Sequence, residues 1–138
     1  MNESLILPRP LVQKLFAHAQ SEPGAEVCGL IGAIDGSACS HYPVQNNAPE
    51  PDRLFDMDAQ SQIAAMKAMR ERGEALFAVY HSHPAAPPEP SDRDAAGLGY
   101  PDAWYLIISL NIKGVLEMRA WREEGGKLTE HKVQILPD

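Results

Sequence analysis

Two histidines one residue apart, followed at set distances by a serine and an aspartate, are the residues best suited to chemistry in this sequence. His81 and His83 stand in the stretch HSHPAAPPEPSDRD, which continues to Ser91 and Asp94. Side chains at i and i+2 of a strand point to the same face, so both imidazoles can approach one metal ion. A catalytic zinc commonly takes three protein ligands and keeps one position for water. The two histidines and the carboxylate of Asp94 therefore predict an open zinc site.

Each half of this pattern also has a plain structural interpretation. A His-x-His pair is often only the polar end of a strand. Ser91 and Asp94 have the spacing of a helix start, with serine as the N-cap and an acidic residue in the first turn. Given the composition alone, the whole pattern is expected by chance in about one of every two thousand chains of this length. The occurrence of both halves together, at this spacing, favours a metal site.

The histidines are predicted to end a buried strand. In EALFAVYHSHP, an apolar run from Ala75 to Tyr80 is bounded by charge on one side and by Pro84 on the other. A helix is predicted in DMDAQSQIAAMKAMRERG, with Asp58 as its N-cap. The apolar positions of that helix are Ile63, Met66 and Met69.

The other elements alternate along the chain. A first helix is predicted in PRPLVQKLFAHAQSEPG, where Leu11, Val12, Leu15, Phe16 and Ala19 form one stripe. Further strands are predicted in VCGLIGAI, its hairpin partner ACSHYPVQN, AWYLIISL, GVLEMRAW and LTEHKVQIL, and a short helix in SDRDAAGLG. This order predicts an α/β fold with a mixed sheet. A length of 138 residues predicts a single domain, residues 1–138.

Charge and hydropathy exclude several classes of partner. The net charge is −7, with only 12 lysines and arginines and no basic run, which argues against nucleic acid. No apolar run is long enough to cross a membrane, and the N-terminus lacks the pattern of a signal peptide. A cytoplasmic protein is expected. Cys28 and Cys39 are expected to be reduced core residues, since two thiols without CxxC spacing seldom form a disulfide in that compartment.

The stretch HSHPAAPPEPSDRD resembles the JAMM motif, H-[S/T]-H-P-x(6)-S-x-x-D, of the JAMM or MPN-plus zinc metalloproteases. The segment EVCGLIG resembles the part of that family that carries an upstream glutamate, and the resemblance extends from about Leu5 to Leu110. It implies a mixed β-sheet sandwiched by helices, a fold related to the cytidine deaminases. The short connection between Asp94 and the next strand, Ala95 to Asp102, resembles the stand-alone bacterial branch of the family.

The resemblance also implies roles for five residues. His81, His83 and Asp94 would be the ligands of one zinc ion, Ser91 would help to hold the oxyanion, and Glu26 would be the general base. The family hydrolyses a peptide or isopeptide bond, commonly after the C-terminal Gly-Gly of a ubiquitin-like protein. The bacterial branch implies a ubiquitin-like or sulfur-carrier protein as the substrate, from which a peptide or amino-acid adduct is released.

Three alternatives compete with this interpretation. One is a non-catalytic MPN-type scaffold that binds a ubiquitin-like partner, although all five site positions are filled here. Another is an enzyme with a cysteine nucleophile at Cys28, for which the sequence offers no second orienting group. A deaminase is disfavoured because His-x-Glu and Pro-Cys-x-x-Cys are missing.

Overall fold

Helices and strands alternate along the chain in the computed structural model, which describes residues 4–91, 99–100, 102–112 and 115–137. The helices are α1 (Arg9–Ser21) and α2 (Ala59–Glu71). The strands are β1 (Ser4–Pro8), β2 (Cys28–Ile34), β3 (Ser37–Val44), β4 (Ala75–His83), β5 (Trp104–Ile112), β6 (Val115–Glu124) and β7 (Lys127–Leu136). Most of the predicted short helix in SDRDAAGLG lies outside the described residues.

The described strands form one mixed sheet in the order β1-β7-β6-β5-β4-β2-β3. The β4–β5 and β1–β7 pairs are parallel and the others are antiparallel. The prediction of an α/β fold with a mixed sheet is confirmed. Strand β1 was not predicted, because a five-residue segment that pairs with the far end of the chain leaves no local periodicity to detect.

Two tight hairpins set the register of the outer strands. Asp35 and Gly36 both have positive φ angles, 51° and 80°, as the two central residues of a type I′ turn require. This turn joins β2 to β3 with Ile34 opposite Ser37, and it confirms the predicted hairpin. Gly125 and Gly126 make the corresponding turn between β6 and β7.

The two helices cover opposite faces of the sheet. Helix α1 buries four of its predicted apolar residues against one face: Leu11, Val12, Leu15 and Ala19. Helix α2 packs Ala65 and Met69 against the other face, beside Leu30, Val79 and Tyr105. The predicted Asp58 cap is present, since its carboxylate accepts a hydrogen bond from the Ser61 amide at 2.9 Å.

One position of the predicted α2 stripe was wrong. The side chain of Ile63 is 68% exposed, although its spacing from Met66 and Met69 suits an apolar stripe. The helix turns a narrower face to the sheet than the sequence pattern indicates. Among the described residues, no helix has the length and apolar character needed to cross a membrane.

The register of the central strands brings the predicted site residues together. Antiparallel pairing of β2 with β4 places Cys28 opposite His81. Val27 and Ser82 continue this pairing beyond the strand, because the Ser82 amide donates to the Val27 carbonyl at 3.0 Å. One residue further, Glu26 reaches the level of His83 on the same face. Glu26, His81 and His83 therefore meet on the α2 face beside the end of β4.

Candidate metal centre

His81 and His83 converge on one point at the end of β4, as their spacing predicted. Their Nε2 atoms lie 3.1 Å apart, and both residues are buried, with 3% and 4% of their surface exposed. The carboxylate of Glu26 completes the group, and the potential ligand atoms of all three residues lie within 4.8 Å of one another. Three buried groups with metal-binding chemistry thus share one location.

The orientation of His83 is set by the loop that follows it. Its Nδ1 lies 2.8 Å from the carbonyl oxygen of Pro87, which can only accept a hydrogen bond. The proton of the neutral imidazole must therefore be on Nδ1, which leaves the lone pair on Nε2. His81 is fixed differently, because the ring of Phe55 stacks on its imidazole with centroids 4.3 Å apart.

Glu26 is held by its backbone rather than by a regular element. Its amide donates to the Pro51 carbonyl at 2.6 Å, and its carbonyl accepts from Asn46 Nδ2 at 2.9 Å. The next amide, of Val27, donates to Ser82 Oγ at 2.9 Å. Ser82 thereby links the glutamate segment to the residue between the two histidines. Only 4% of Glu26 is exposed, so the carboxylate stays inside the site.

The donor set fits a zinc ion. Two nitrogens bound to one tetrahedral zinc at about 2.0–2.1 Å stand roughly 3.3 Å apart, close to the spacing of the two Nε2 atoms. The tautomer of His83 directs a lone pair into the cluster, and a backbone carbonyl is a common partner for the other nitrogen of a metal-binding histidine. The cluster is therefore a candidate metal site.

The remaining predicted site residues are placed less fully. Ser91 is exposed and follows His83 after the proline-rich loop. Asp94, the predicted third ligand, lies outside the described residues. The structure therefore brings together Glu26, His81 and His83, while the roles of Ser91 and Asp94 stay predictions.

A cavity of about 730 Å³ opens beside His81. Its wall is largely apolar and aromatic, with Phe55, Tyr105 and Ile107 near the histidine and the acidic residues Glu50 and Asp56 among its lining. A second cavity of about 440 Å³ is lined by Glu26 together with His18 and Glu22 of the α1 end. The two cavities are lined by different members of the metal cluster.

Cys28 is unsuited to act as a nucleophile. It is fully buried, and its thiol donates to the Val44 carbonyl at 3.4 Å. Burial, with the nearby charges of Glu26 and Asp56, raises the pKa of the thiol to about 12. A thiolate is the reactive form, so Cys28 is inert at neutral pH. Both cysteines are free, as predicted, but Cys39 is exposed and not a core residue.

This contrast gives a labelling prediction. A thiol reagent at neutral pH should modify Cys39 in the native protein and leave Cys28 unmodified until the chain is unfolded. Counting labelled thiols by mass spectrometry, with and without denaturant, measures the difference. Any hydrolase activity should survive complete labelling of Cys39. Loss of activity together with modification of Cys28 would restore the cysteine mechanism.

The family follows from comparison with known proteins. The family model of prokaryotic homologs of the JAB domain matches residues 8–124. This chain belongs to the prokaryotic JAB family. The match spans both helices, Glu26 and the strand that carries His81 and His83. The resemblance to the JAMM and MPN proteins inferred from the sequence is thereby confirmed.

Two curated relatives of this JAB-family chain have the names of enzymes. The CysO-cysteine peptidase of Mycobacterium tuberculosis is 30% identical over 134 residues, which cover 96% of this chain and 91% of the relative. The desampylase of Haloferax volcanii is 34% identical over 93 residues, covering 66% of this chain and 67% of the relative. Both names denote enzymes.

Solved structures agree with the fold. The solution structure of a protein from Desulfitobacterium hafniense is 30% identical, with a TM-score of 0.86, and covers 97% of this chain and 94% of its own. A JAB1/MPN domain protein from Archaeoglobus fulgidus matches at a TM-score of 0.63 and 14% identity, covering 99% of this chain and all of its own. The latter likeness concerns the fold alone.

Several residues that shape the site were not found from the sequence. Ser82 was assigned no role from the sequence, although its side chain accepts a hydrogen bond from the Val27 amide. Phe55 and Asn46 lie in an irregular segment without periodicity, so no pattern marks them. The contact between His83 and the Pro87 carbonyl depends on how the loop folds back, which the sequence does not disclose.

Proposed function

We propose that this chain is a zinc-dependent peptidase or isopeptidase that hydrolyses the bond after the C-terminal Gly-Gly of a ubiquitin-like or sulfur-carrier protein. The observation that carries the proposal is the buried convergence of two imidazole Nε2 atoms and the Glu26 carboxylate at the end of β4. The names of the two curated relatives support the substrate class, since one acts on a CysO-cysteine adduct and the other is a desampylase.

His81, His83 and Asp94 are the residues that would hold the zinc ion. A bound zinc ion supplies a Lewis acid that polarises a carbonyl and makes water a nucleophile at neutral pH. The ligand set of two imidazoles and a carboxylate suits zinc. Ser91 would donate its hydroxyl hydrogen to the carbonyl oxygen that gains charge in the tetrahedral intermediate.

Glu26 would transfer the proton of the reaction. Its carboxylate accepts a proton from the attacking water and then delivers it to the nitrogen of the leaving amine. The segment around Glu26 is fixed by hydrogen bonds of its backbone to the Pro51 carbonyl and the Asn46 side chain. A further hydrogen bond joins the Val27 amide to the Ser82 hydroxyl. A proton carrier must stay within hydrogen-bond reach of both atoms, and this anchoring limits its movement.

The cavity of about 730 Å³ would receive the end of the carrier protein. A Gly-Gly tail has no side chains beyond Cα, so it can pass a narrow entrance in extended form. His81 in the wall of this cavity places the cluster next to the chain that enters it. We also propose that residues 1–138 form one domain and that the protein works in the cytoplasm, where its two free thiols stay reduced.

Cleavage of a defined conjugate tests the proposal. A ubiquitin-fold carrier ending in Gly-Gly, joined to a lysine side chain or to a free amino acid, should be cut after the second glycine. Mass spectrometry of the products identifies the bond. A chelator should stop the reaction, and zinc should restore it. A carrier whose last glycine is replaced by valine serves as the matched control and should be cut far more slowly.

Two outcomes would contradict the proposal. A chain that binds zinc and the carrier but cuts none of these conjugates would support the scaffold alternative. Turnover that persists with the chelator and without metal would contradict the proposed chemistry.

A further inference from the structure

The loop between His83 and Ser91 has few backbone amides with which to hold its own shape. Its sequence is PAAPPEP, so four of its seven residues are prolines that lack an amide hydrogen. The carbonyl groups of such a loop still need donors where they are buried, and Pro88 is fully buried. Within the loop, the Glu89 amide donates to the Pro87 carbonyl at 2.8 Å, and further donors come from side chains elsewhere in the protein.

Three side chains on three adjacent strands supply them. Ser109 Oγ of β5 donates to the Ala86 carbonyl at 2.6 Å. His83 Nδ1 at the end of β4 donates to the Pro87 carbonyl at 2.8 Å. Trp121 Nε1 of β6 donates to the Pro88 carbonyl at 3.1 Å. Three successive carbonyls are thus each bound by a side chain of the sheet.

These donors lie on the face of the sheet that carries the metal cluster. Ser109 pairs with His83 across β4 and β5, so their side chains point the same way. Trp121 pairs with Tyr105 on the neighbouring strands, and Tyr105 packs in the core on the α2 side. The loop leaves β4, crosses β5 and rests on β6. The three side chains hold the middle of the loop, Ala86 to Pro88, in place.

We propose that Trp121 and Ser109 are positioning residues of the metal centre. By holding Pro88 and Ala86, they keep the intervening Pro87 carbonyl in place for His83 Nδ1, which orients the ring and keeps the lone pair on Nε2. They also fix the point from which the chain runs on to Ser91, only three residues beyond Pro88. Neither residue lines the cavity beside His81. The inference rests on the proposed function, because it assigns these residues to the same zinc site.

Ordinary packing would not account for this arrangement. A packed tryptophan usually finds some partner for its Nε1 hydrogen, and a serine often bonds nearby backbone. Here both side chains instead reach carbonyls of the same loop, two residues apart. Prolines lower the number of conformations open to the loop, so a few anchors suffice to select one. The combination of a stiff loop with three external donors is the arrangement expected of a rigid support.

Zinc affinity of the full chain tests the proposal. The change is Trp121→Phe, which keeps an aromatic ring but removes the donor to Pro88. We expect the zinc dissociation constant, measured by competition with a chromogenic chelator, to rise about tenfold, as for other partners that orient metal ligands. With zinc in excess and a cleavable conjugate, kcat should fall while KM stays near the native value.

Trp104→Phe is the matched control. Trp104 is buried on β5, whereas Trp121 is partly buried, and Trp104 packs in the core on the α1 side, against Arg122 and His131. The Trp104→Phe substitution should lower the unfolding temperature of the metal-free protein at least as much as Trp121→Phe does, while leaving the zinc dissociation constant unchanged. Ser109→Ala provides a second test, with the same expected loss of zinc affinity, if Trp121→Phe fails to fold.

The outcomes separate this proposal from the proposed function. Native zinc affinity in folded Trp121→Phe and Ser109→Ala overturns the positioning role and leaves the peptidase proposal intact. An equal loss of affinity in Trp104→Phe also overturns it, because the effect would then be general loosening. A native chain that binds zinc but cuts no conjugate overturns the peptidase proposal, while the affinity measurements still decide the role of Trp121. Absence of zinc binding in the native chain overturns both.

Discussion

Glu26→Gln should reduce cleavage by about 10²–10⁴-fold while leaving the metal content unchanged. Glutamine has the shape of glutamate and can still accept a hydrogen bond, but it cannot take a proton from water. The backbone bonds of residue 26 to Pro51 and Asn46 do not involve its side chain, so the site should keep its structure. Single-turnover rates on a purified conjugate, with metal analysis of the same sample, measure both quantities.

Glu22→Gln is the matched control for this prediction. Glu22 lines the same cavity of about 440 Å³ as Glu26 but is exposed at the end of α1. Removing its charge should leave the rate within a few-fold of native, because it lies outside the metal cluster. If Glu26→Gln kept native turnover, Glu26 would be removed from the mechanism. If it lost the metal, the carboxylate would be a ligand instead of a base.

Local patterns in the sequence predicted most of the fold. The helical stripe of α1, the hairpin of β2 with β3 and the apolar run before His81 each depend on residues close together in the chain, and all were confirmed. Strand β1 was missed because its partner, β7, lies at the other end of the sequence. The exposed position of Ile63 was missed because helical spacing indicates a face but not how far the sheet extends beneath it.

The sequence predicted which residues converge at the site but not the tertiary contacts that hold them in place. His81 and His83 converge because alternation along a strand fixes their common face, and the family motif singles out Glu26. The sequence alone could not show that Glu26 would stand level with His83, since this follows from the register between β2 and β4. The carbonyl of Pro87 and the hydroxyl of Ser82 contribute through tertiary contacts, for which sequence spacing gives no signal.

His83→Ala should remove the metal, and with it both the cleavage activity and the stabilisation by zinc. The change deletes one of the two imidazoles of the cluster and also the donor to the Pro87 carbonyl. Protein purified without chelator or metal-affinity tag should contain about one zinc per native chain and close to none in the variant, as expected for a site with few protein ligands. Elemental analysis against protein concentration measures the content.

His41→Ala is the control that distinguishes loss of a metal ligand from the general effect of replacing a histidine with alanine. His41 lies on β3, half-buried near Tyr80 on the α1 side of the sheet, away from the metal cluster. Its removal should leave zinc content and cleavage unchanged. Because a ligand that binds only the folded state stabilises it, added zinc should raise the unfolding temperature of the native chain and of His41→Ala but not of His83→Ala.

Full zinc occupancy in His83→Ala would mean that the ligand set is wrong. Absence of zinc from every form, even after reconstitution, would mean that the two histidines only cap a strand and that the chain acts as a scaffold.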